Sequence, residues 1–185
     1  MKKMLLVLIT VLCVVGFTSA QKKMYAGVGL NIALPMGTFG DVAGTGFGGT
    51  GTFEMEFTPQ LLGTGTVGYI AWGGKDFNTG FGNWSYTYSA IPILVGAKYY
   101  FMPNSGFYGH GQLGFYMLSV DIEYPAGTNT FGIDASGSST EFAICFGAGY
   151  ELPLSKTVMG DIGASYNIIS DAGHIGIRAG VKFGL

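Results

Sequence analysis

The stretch GAKYYFMPNSGFYGHGQLGFYML, residues 96–118, decides the fold class because glycine, aromatic and aliphatic residues make up nearly all of it. Pro103 and Gly106 interrupt it, and Lys98, His110 and Gln112 are isolated polar residues within it. A strand in a soluble core does not need so many aromatic side chains, and this many glycines disfavour a helix. The segment therefore indicates two strands, joined by a turn, that face lipid on one side.

The composition of the whole chain points the same way. Charged residues make up 11% of the 185 residues, compared with about 25% in ordinary soluble domains. Beyond residue 20, no segment offers the roughly 18 uninterrupted apolar residues of a spanning helix. Apart from helices, only closed β-barrels can span a bilayer, because they pair every backbone polar group. We therefore predict an all-β fold, an eight-stranded antiparallel up-and-down transmembrane β-barrel.

The first twenty residues, MKKMLLVLITVLCVVGFTSA, have the pattern of a secretory signal peptide. Lys2 and Lys3 precede an apolar run that is too short to span a bilayer, and Thr18, Ser19 and Ala20 form a small-residue cleavage site. We predict a cleaved signal peptide at residues 1–20, export, and a barrel domain at residues 21–185.

Cys13 raises the alternative of a lipid-modified cysteine, which the apolar sequence beyond it disfavours. Cleavage leaves Cys145 as the single cysteine, so no disulfide can form within the chain. Without Lys2 and Lys3, seven basic residues remain against eleven acidic ones, a formal net charge of −4. We predict no nucleic-acid partner.

Alternation of apolar and polar residues predicts eight strands, since lipid-facing and lumen-facing side chains alternate along each strand. Two segments are irregular: Leu62 and Ile70 fall in the polar parity of one, and the parity of the other shifts near Met117, as a bulge would explain. A bulged or ten-stranded variant stays open. The predicted strands are residues 24–35, 46–58, 61–72, 87–102, 107–123, 140–152, 157–168 and 174–185.

The connections between these segments alternate between short and long, as expected for tight periplasmic turns and longer outer loops. Both chain termini are then periplasmic, and Tyr99, Phe101 and Phe107 belong to the aromatic girdle at that interface. The short connections lie around residues 59–60, 103–106 and 153–156, and the longer ones at 36–45, 73–86, 124–139 and 170–173.

With this pattern the chain resembles the small eight-stranded outer-membrane barrels, the class of the OmpA transmembrane domain and OmpX. The resemblance covers the mature chain and rests on pattern. These barrels usually end in an aromatic residue, whereas here Phe183 lies two residues before the terminal Leu185. The resemblance implies a monomer in a bacterial outer membrane, in contact with its lipid and lipopolysaccharide and inserted by the barrel-assembly machinery.

Inward-facing polar residues concentrate in the periplasmic half of the predicted lumen. Charges of both signs in so narrow a lumen should pair, as a static plug or as a gate. Small residues such as Gly48, Thr50, Gly68 and Ser165 line the outer half, which suggests a hollow open to the outside. The predicted lumen cluster is Glu54, Glu56, Lys98, His110, Gln112, Glu151, Asp161, Arg178 and Lys182.

The predicted outer rim contains seven acidic residues and a single basic residue, Lys75. The acidic residues attract cations or basic partners, or simply keep the surface soluble. Ser170, Asp171 and His174 are the residue types of a hydrolase triad, but one short loop rarely arranges them as such. We predict no metal and no cofactor. The predicted rim residues are Asp41, Asp76, Asp121, Glu123, Asp134, Glu141 and Asp171.

The sequence favours a structural or surface-interaction role, in which the outer loops bind an extracellular ligand or surface partner, and it does not favour an enzyme. One alternative is a minor porin-like channel for small solutes, which would require the charged cluster to open. A second is a lipid-modifying outer-membrane enzyme. A soluble lipocalin-like barrel is disfavoured because its outer face would have to be polar.

Overall fold

The computed structural model describes residues 23–74, 77–78, 83–102, 105–123, 136–170 and 172–185. The predicted signal peptide lies outside the described residues. Within these ranges, no helix is long and apolar enough to cross a membrane.

Eight long strands and one two-residue strand make up almost all of the described chain. A six-residue helix, α1 (Gly37–Val42), connects the first two strands. The strands are β1 (Met24–Pro35), β2 (Ala43–Thr58), β3 (Leu61–Gly74), β4 (Phe77–Asn78), β5 (Asn83–Tyr100), β6 (Phe107–Glu123), β7 (Ser136–Pro153), β8 (Val158–Ile169) and β9 (His174–Gly184).

The eight long strands close into a barrel in which all neighbours are antiparallel. Each strand pairs with its neighbours in the chain, β3 pairs with β5, and β1 pairs with β9 from Tyr25↔Gly184 to Pro35↔His174. Strand β4 only pairs with the outer end of β5. The predicted eight-stranded barrel is therefore confirmed. Closure pairs the strand edges, which is how a sheet satisfies its backbone in lipid.

The predicted alternation holds along the strands. Leu30 is 76% exposed, Phe47 64% and Val67 54%, whereas their neighbours on the other parity point into the lumen. This outer face is apolar, so the soluble alternative is wrong. Leu62 and Ile70, which broke the pattern at the sequence level, are buried inside the barrel, because parts of the lumen are apolar.

Strand β6 contains no bulge. Its register with β5 runs unbroken from Tyr100↔Tyr108 to Ser85↔Glu123, and its register with β7 from Phe107↔Tyr150 to Asp121↔Ser136. The bulge that would have explained the parity shift near Met117 is therefore wrong, and the shift has another cause. Leu118 and Val120 share the inward parity, and Leu118 packs against the buried core. Register shifts do occur at the two ends of β2 in its pairing with β3.

The strands extend further outward than their sequence pattern predicts. Strand β5 begins at Asn83 and β7 at Ser136, four residues earlier than predicted in each case. On the other side of the barrel, β8 ends at Ile169, opposite Ala143 of β7. Strands β5, β6 and β7 therefore form a wall that rises above β8 and β9.

The predicted loop at residues 36–45 contains α1, which places Phe39 in the barrel mouth with 6% of its surface exposed. At the opposite end, the turn between β5 and β6 requires glycine. Gly106 has φ = 72°, and a Cβ there would lie 2.3 Å from the carbonyl oxygen of Glu151.

Candidate functional site

Six charged side chains meet in the half of the lumen near the short connections, the half that we predict to be periplasmic. They come from five strands, and strand alternation turns each of them inward. We call this set the ion-pair cluster. Its members are Glu54 on β2, Lys98 on β5, Glu151 on β7, Asp161 on β8, and Arg178 and Lys182 on β9.

Two lysines bridge two glutamates at the centre of the ion-pair cluster. Lys182 Nζ lies 2.9 Å from Glu54 Oε2 and 2.6 Å from Glu151 Oε1. Lys98 Nζ also contacts both carboxylates, at 2.8 Å from Glu151 Oε1. These four side chains are at most 5% exposed. The result is a buried ring in which positive and negative groups alternate.

Asp161 joins the ring to Arg178. Its Oδ2 atom accepts a 2.6 Å hydrogen bond from the Arg178 guanidinium and lies 3.8 Å from Lys98 Nζ. Three carboxylates therefore face three cations, and the cluster is neutral. A buried charge is tolerated when its partners and hydrogen bonds replace its hydration. This arrangement provides both, except that Arg178 Nε is buried without a hydrogen-bond partner among the described residues.

Three tyrosines complete the cluster, and our sequence analysis missed them. Tyr100 and Tyr108 donate 2.6 Å hydrogen bonds to Glu151 and Asp161, respectively. Lys98 Nζ lies 4.2 Å from the centre of the Tyr108 ring, and Lys182 Nζ lies 4.7 Å from that of Tyr25. Parity could have found all three, because each lies on the inward side of its strand.

The other three predicted lumen residues lie outside these ion pairs. Gln112 donates 2.9 Å hydrogen bonds to Thr64 and Thr66. His110 Nε2 lies 3.8 Å from Cys145 Sγ. Glu56 is half-buried and takes part in no ion pair within the described part of the chain.

Oxygens of Glu54, Glu151 and Asp161 all lie within 4.8 Å of one another, a spacing that suits a metal ion. Lys98 Nζ, however, contacts all three carboxylates. The ammonium group thus occupies the position that a metal ion would need.

Above the ion-pair cluster is a cavity of about 90 Å³. Hydroxyl and amide side chains form much of its wall, among them Asn31, Thr50 and Ser165, and Asn31 donates a 3.1 Å hydrogen bond to Thr50. A polar cavity of this size is large enough to hold water. The predicted small-residue hollow therefore exists at mid-depth.

Four rings pack above the hollow, on the side of α1. We call these four residues, Phe39, Trp72, Tyr116 and His174, the aromatic lid. Trp72 lies edge-on to both Phe39 and His174, at centroid distances of 5.5 and 5.4 Å, and Tyr116 lies 5.8 Å from His174. All four are at most 6% exposed.

His174 belongs to this packing. Its Nδ1 atom hydrogen bonds to the carbonyl oxygen of Ala172 at 3.2 Å. Ser170 is exposed, and Asp171 lies outside the described residues.

The predicted acidic rim is described only in part. Asp41 on α1 and Asp121 on β6 are exposed, and Glu141 on β7 is half-buried and faces the barrel mouth. Glu123 ends β6 and pairs through its backbone with Ser85. Asp76, Asp134 and Asp171 lie outside the described residues, as does Lys75.

Comparisons with known proteins agree with this architecture. The outer membrane protein beta-barrel domain family matches residues 4–184. No curated protein matches the chain. Among solved structures, the chain is similar to Ail, the attachment invasion locus protein of Yersinia pestis, in complex with the heparin analogue sucrose octasulfate. Identity is 13% and the TM-score is 0.64, over 90% of this chain and 100% of Ail.

Two further solved structures share the fold. The outer membrane protein OprG from Pseudomonas aeruginosa is 14% identical, with a TM-score of 0.60 over 90% of this chain and 96% of OprG. Neisserial surface protein A is 15% identical, with a TM-score of 0.54 over 86% of this chain and 96% of that protein. The chain belongs to the outer membrane protein beta-barrel domain family and is an integral protein of a bacterial outer membrane.

Proposed function

We propose that this member of the outer membrane protein beta-barrel domain family is a closed, non-conducting barrel whose outer surface binds a partner. The observation that carries the proposal is that buried side chains fill the lumen at two depths. The ion-pair cluster lies at one depth and the aromatic lid at the other.

Each layer opposes the passage of solutes in its own way. A solute crossing the ion-pair cluster must separate buried charges, and leaving such a charge unpaired costs several kcal/mol. A solute crossing the aromatic lid must displace packed rings at a level with few groups that could replace its hydration. An eight-stranded barrel is just wide enough for side chains to fill, so both layers must move before a path opens.

The outer side offers the surface for interaction. Strand β7 pairs with β8 only from Ala143 inward, so within the described residues no strand covers the β8-facing edge of residues 136–142. Unpaired backbone groups on such an edge can add an extended peptide as a further strand. Together with the predicted loops, this edge supports a surface-interaction role.

The charge of the rim argues for a neutral or basic partner. Ail was solved with sucrose octasulfate, a heparin analogue. The rim of the present chain combines seven predicted acidic residues with Lys75 alone, so a sulfated polyanion would be repelled. We expect no saturable binding of sucrose octasulfate by this protein at 0.15 M salt, and binding would contradict the rim assignment.

Our predictions for processing and environment form part of the same proposal. Residues 1–20 are removed on export, the barrel-assembly machinery inserts the mature chain, and the monomer is surrounded by outer-membrane lipid and lipopolysaccharide. Mass spectrometry of the purified protein would identify the mature N-terminus.

Planar-bilayer recording tests the closed lumen. We expect no steady conductance from the wild type, from Phe39→Ala/Trp72→Ala, or from Glu54→Ala/Lys182→Ala, which removes one charge of each sign. The four substitutions together should conduct, because both layers are then opened. Lys156→Ala, in an exposed periplasmic turn, is the matched control. Steady conductance by the wild type would favour the porin-like alternative instead.

A further inference from the structure

The barrel mouth contains a crevice that the proposed function leaves unexplained. It lies between α1 and the raised wall of β5, β6 and β7, and its volume is about 610 Å³. Small-molecule sites in proteins usually measure about 300–1,000 Å³. We call it the outer crevice. The side chains that matter here are Phe39, Val42, Leu118, Val120, Ser139 and Glu141.

The outer crevice is mainly apolar because the core of the barrel continues into it. Val42, Tyr88 and Leu118 are half-buried and pack against the buried core cluster, so part of each apolar side chain faces the crevice. Phe39 separates the crevice from Trp72 of the aromatic lid. Apolar surface left uncovered in a concave site is a common mark of a ligand site.

Glu141 is the one acidic residue among the described lining residues, and no lysine, arginine or histidine is among them. Strand alternation directs it inward, on the same side of β7 as Ser139 and Ala143. No lysine or arginine of the described chain pairs with it. Ser139 and Thr38 add hydroxyl groups to the same wall.

We propose that the outer crevice binds a small amphipathic monocation, an amine with an apolar body. The apolar body would cover Val42, Leu118 and Val120, while the ammonium group would donate hydrogen bonds to the Glu141 carboxylate. The exposed carboxylates of Asp41 and Asp121 favour the approach of a cation. This inference rests on the proposed surface-interaction function and names the chemistry of one partner.

Three probes that share a skeleton test the charge requirement: 4-phenylbutylammonium, 4-phenylbutanol and 4-phenylbutyrate. Binding is measured by calorimetry and by tryptophan fluorescence with the full chain in lipid nanodiscs, and empty nanodiscs are subtracted. Trp72 reports on the site because its ring packs against Phe39. We expect the ammonium probe to bind saturably, about ten-fold more tightly than the alcohol, and the carboxylate probe not to bind.

Two variants locate the site. Glu141→Gln should weaken the ammonium probe about ten-fold and leave the alcohol unchanged. The matched control is Glu56→Gln, a half-buried carboxylate near the opposite end of the barrel, which should leave both unchanged. Ser139→Trp places a large ring in the crevice from a solvent-exposed strand position, so it should abolish binding of both probes without unfolding the barrel.

Equal binding of the ammonium probe to wild type and Glu141→Gln, or binding that survives Ser139→Trp, would overturn the inference. Absence of saturable binding would do the same. The two proposals fail separately. Conductance by the wild-type barrel contradicts the closed lumen, whereas a silent barrel that binds none of the probes leaves the closed lumen standing and removes only the crevice site.

Discussion

Lys182→Met provides the sharpest test of the ion-pair cluster. Lys182 is 1% exposed, and its Nζ atom contacts Glu54, Glu151 and the hydroxyl of Tyr100, the last at 3.1 Å. Methionine fills a similar volume but leaves three carboxylates facing two cations. Removal of one partner from a buried ion pair typically destabilises a protein by about 3–5 kcal/mol. We expect a loss in that range.

The double variant Glu54→Gln/Lys182→Met separates charge imbalance from lost packing. It is neutral, and it keeps Glu151 paired with Lys98 and Asp161 paired with Arg178. We therefore expect it to recover at least about 2 kcal/mol relative to the sum of the two single variants, a coupling typical of side chains in direct contact.

The assay is equilibrium urea unfolding in lipid vesicles, followed by the heat-dependent gel mobility of the folded barrel. Lys156→Met, an exposed lysine in the turn between β7 and β8, is the matched control, with an expected change within about 0.5 kcal/mol. If Lys182→Met is no more destabilising than Lys156→Met, the lysine is not held by the carboxylates in the way the geometry indicates.

Three further predictions concern the upper lumen. Gly46→Ala should destabilise the barrel by about 1–3 kcal/mol, because the added Cβ would lie 2.4 Å from the Trp72 indole. The control Gly49→Ala should be neutral, because its Cβ would meet only a carbonyl oxygen at 3.8 Å. Equal effects of the two variants in urea unfolding would contradict the lid geometry. Phe39→Ala should destabilise the barrel by about 2–4 kcal/mol and shift the tryptophan emission to the red. An unchanged emission spectrum would place Phe39 outside the lid. Cys145 is buried, so it should resist a water-soluble maleimide in the folded wild type. It should react faster in the Phe39→Ala/Trp72→Ala variant. Rapid labelling of the wild type would show that the aromatic lid leaves the lumen open to water.

Strand alternation made the wall of the barrel predictable from sequence. Apolar side chains face the lipid and polar side chains face the lumen. The sequences of β1, β2, β8 and β9 therefore alternate directly between the two classes. The same rule identified the six members of the ion-pair cluster, since a charged residue on the inward parity has few partners except other inward charges.

The aromatic lid and the outer crevice were not predictable in this way. Phe39 lies in a Gly- and Thr-containing connection whose pattern indicates a loop, and only the fold brings it against Trp72. Leu118 and Val120 disturbed the expected parity because they face apolar surface in the mouth instead of a polar lumen. Alternation identifies the two sides of a strand, but it does not reveal what each side contacts above the membrane.

The ion-pair cluster also bears on how the barrel closes. Strand β9 carries two of the three cations, and their carboxylate partners lie on β2, β7 and β8. A slip of one residue between β1 and β9 would turn Arg178 and Lys182 onto the lipid face. A lysine or arginine there costs about 2–4 kcal/mol at the midplane and about 0–1 kcal/mol near the interfaces, so the cost is larger for Arg178 than for Lys182 near the end of β9. The slip would also leave buried carboxylates unpaired. Charges that look unfavourable inside a membrane protein therefore favour one register at the seam, where the first strand, β1, pairs with the last strand, β9.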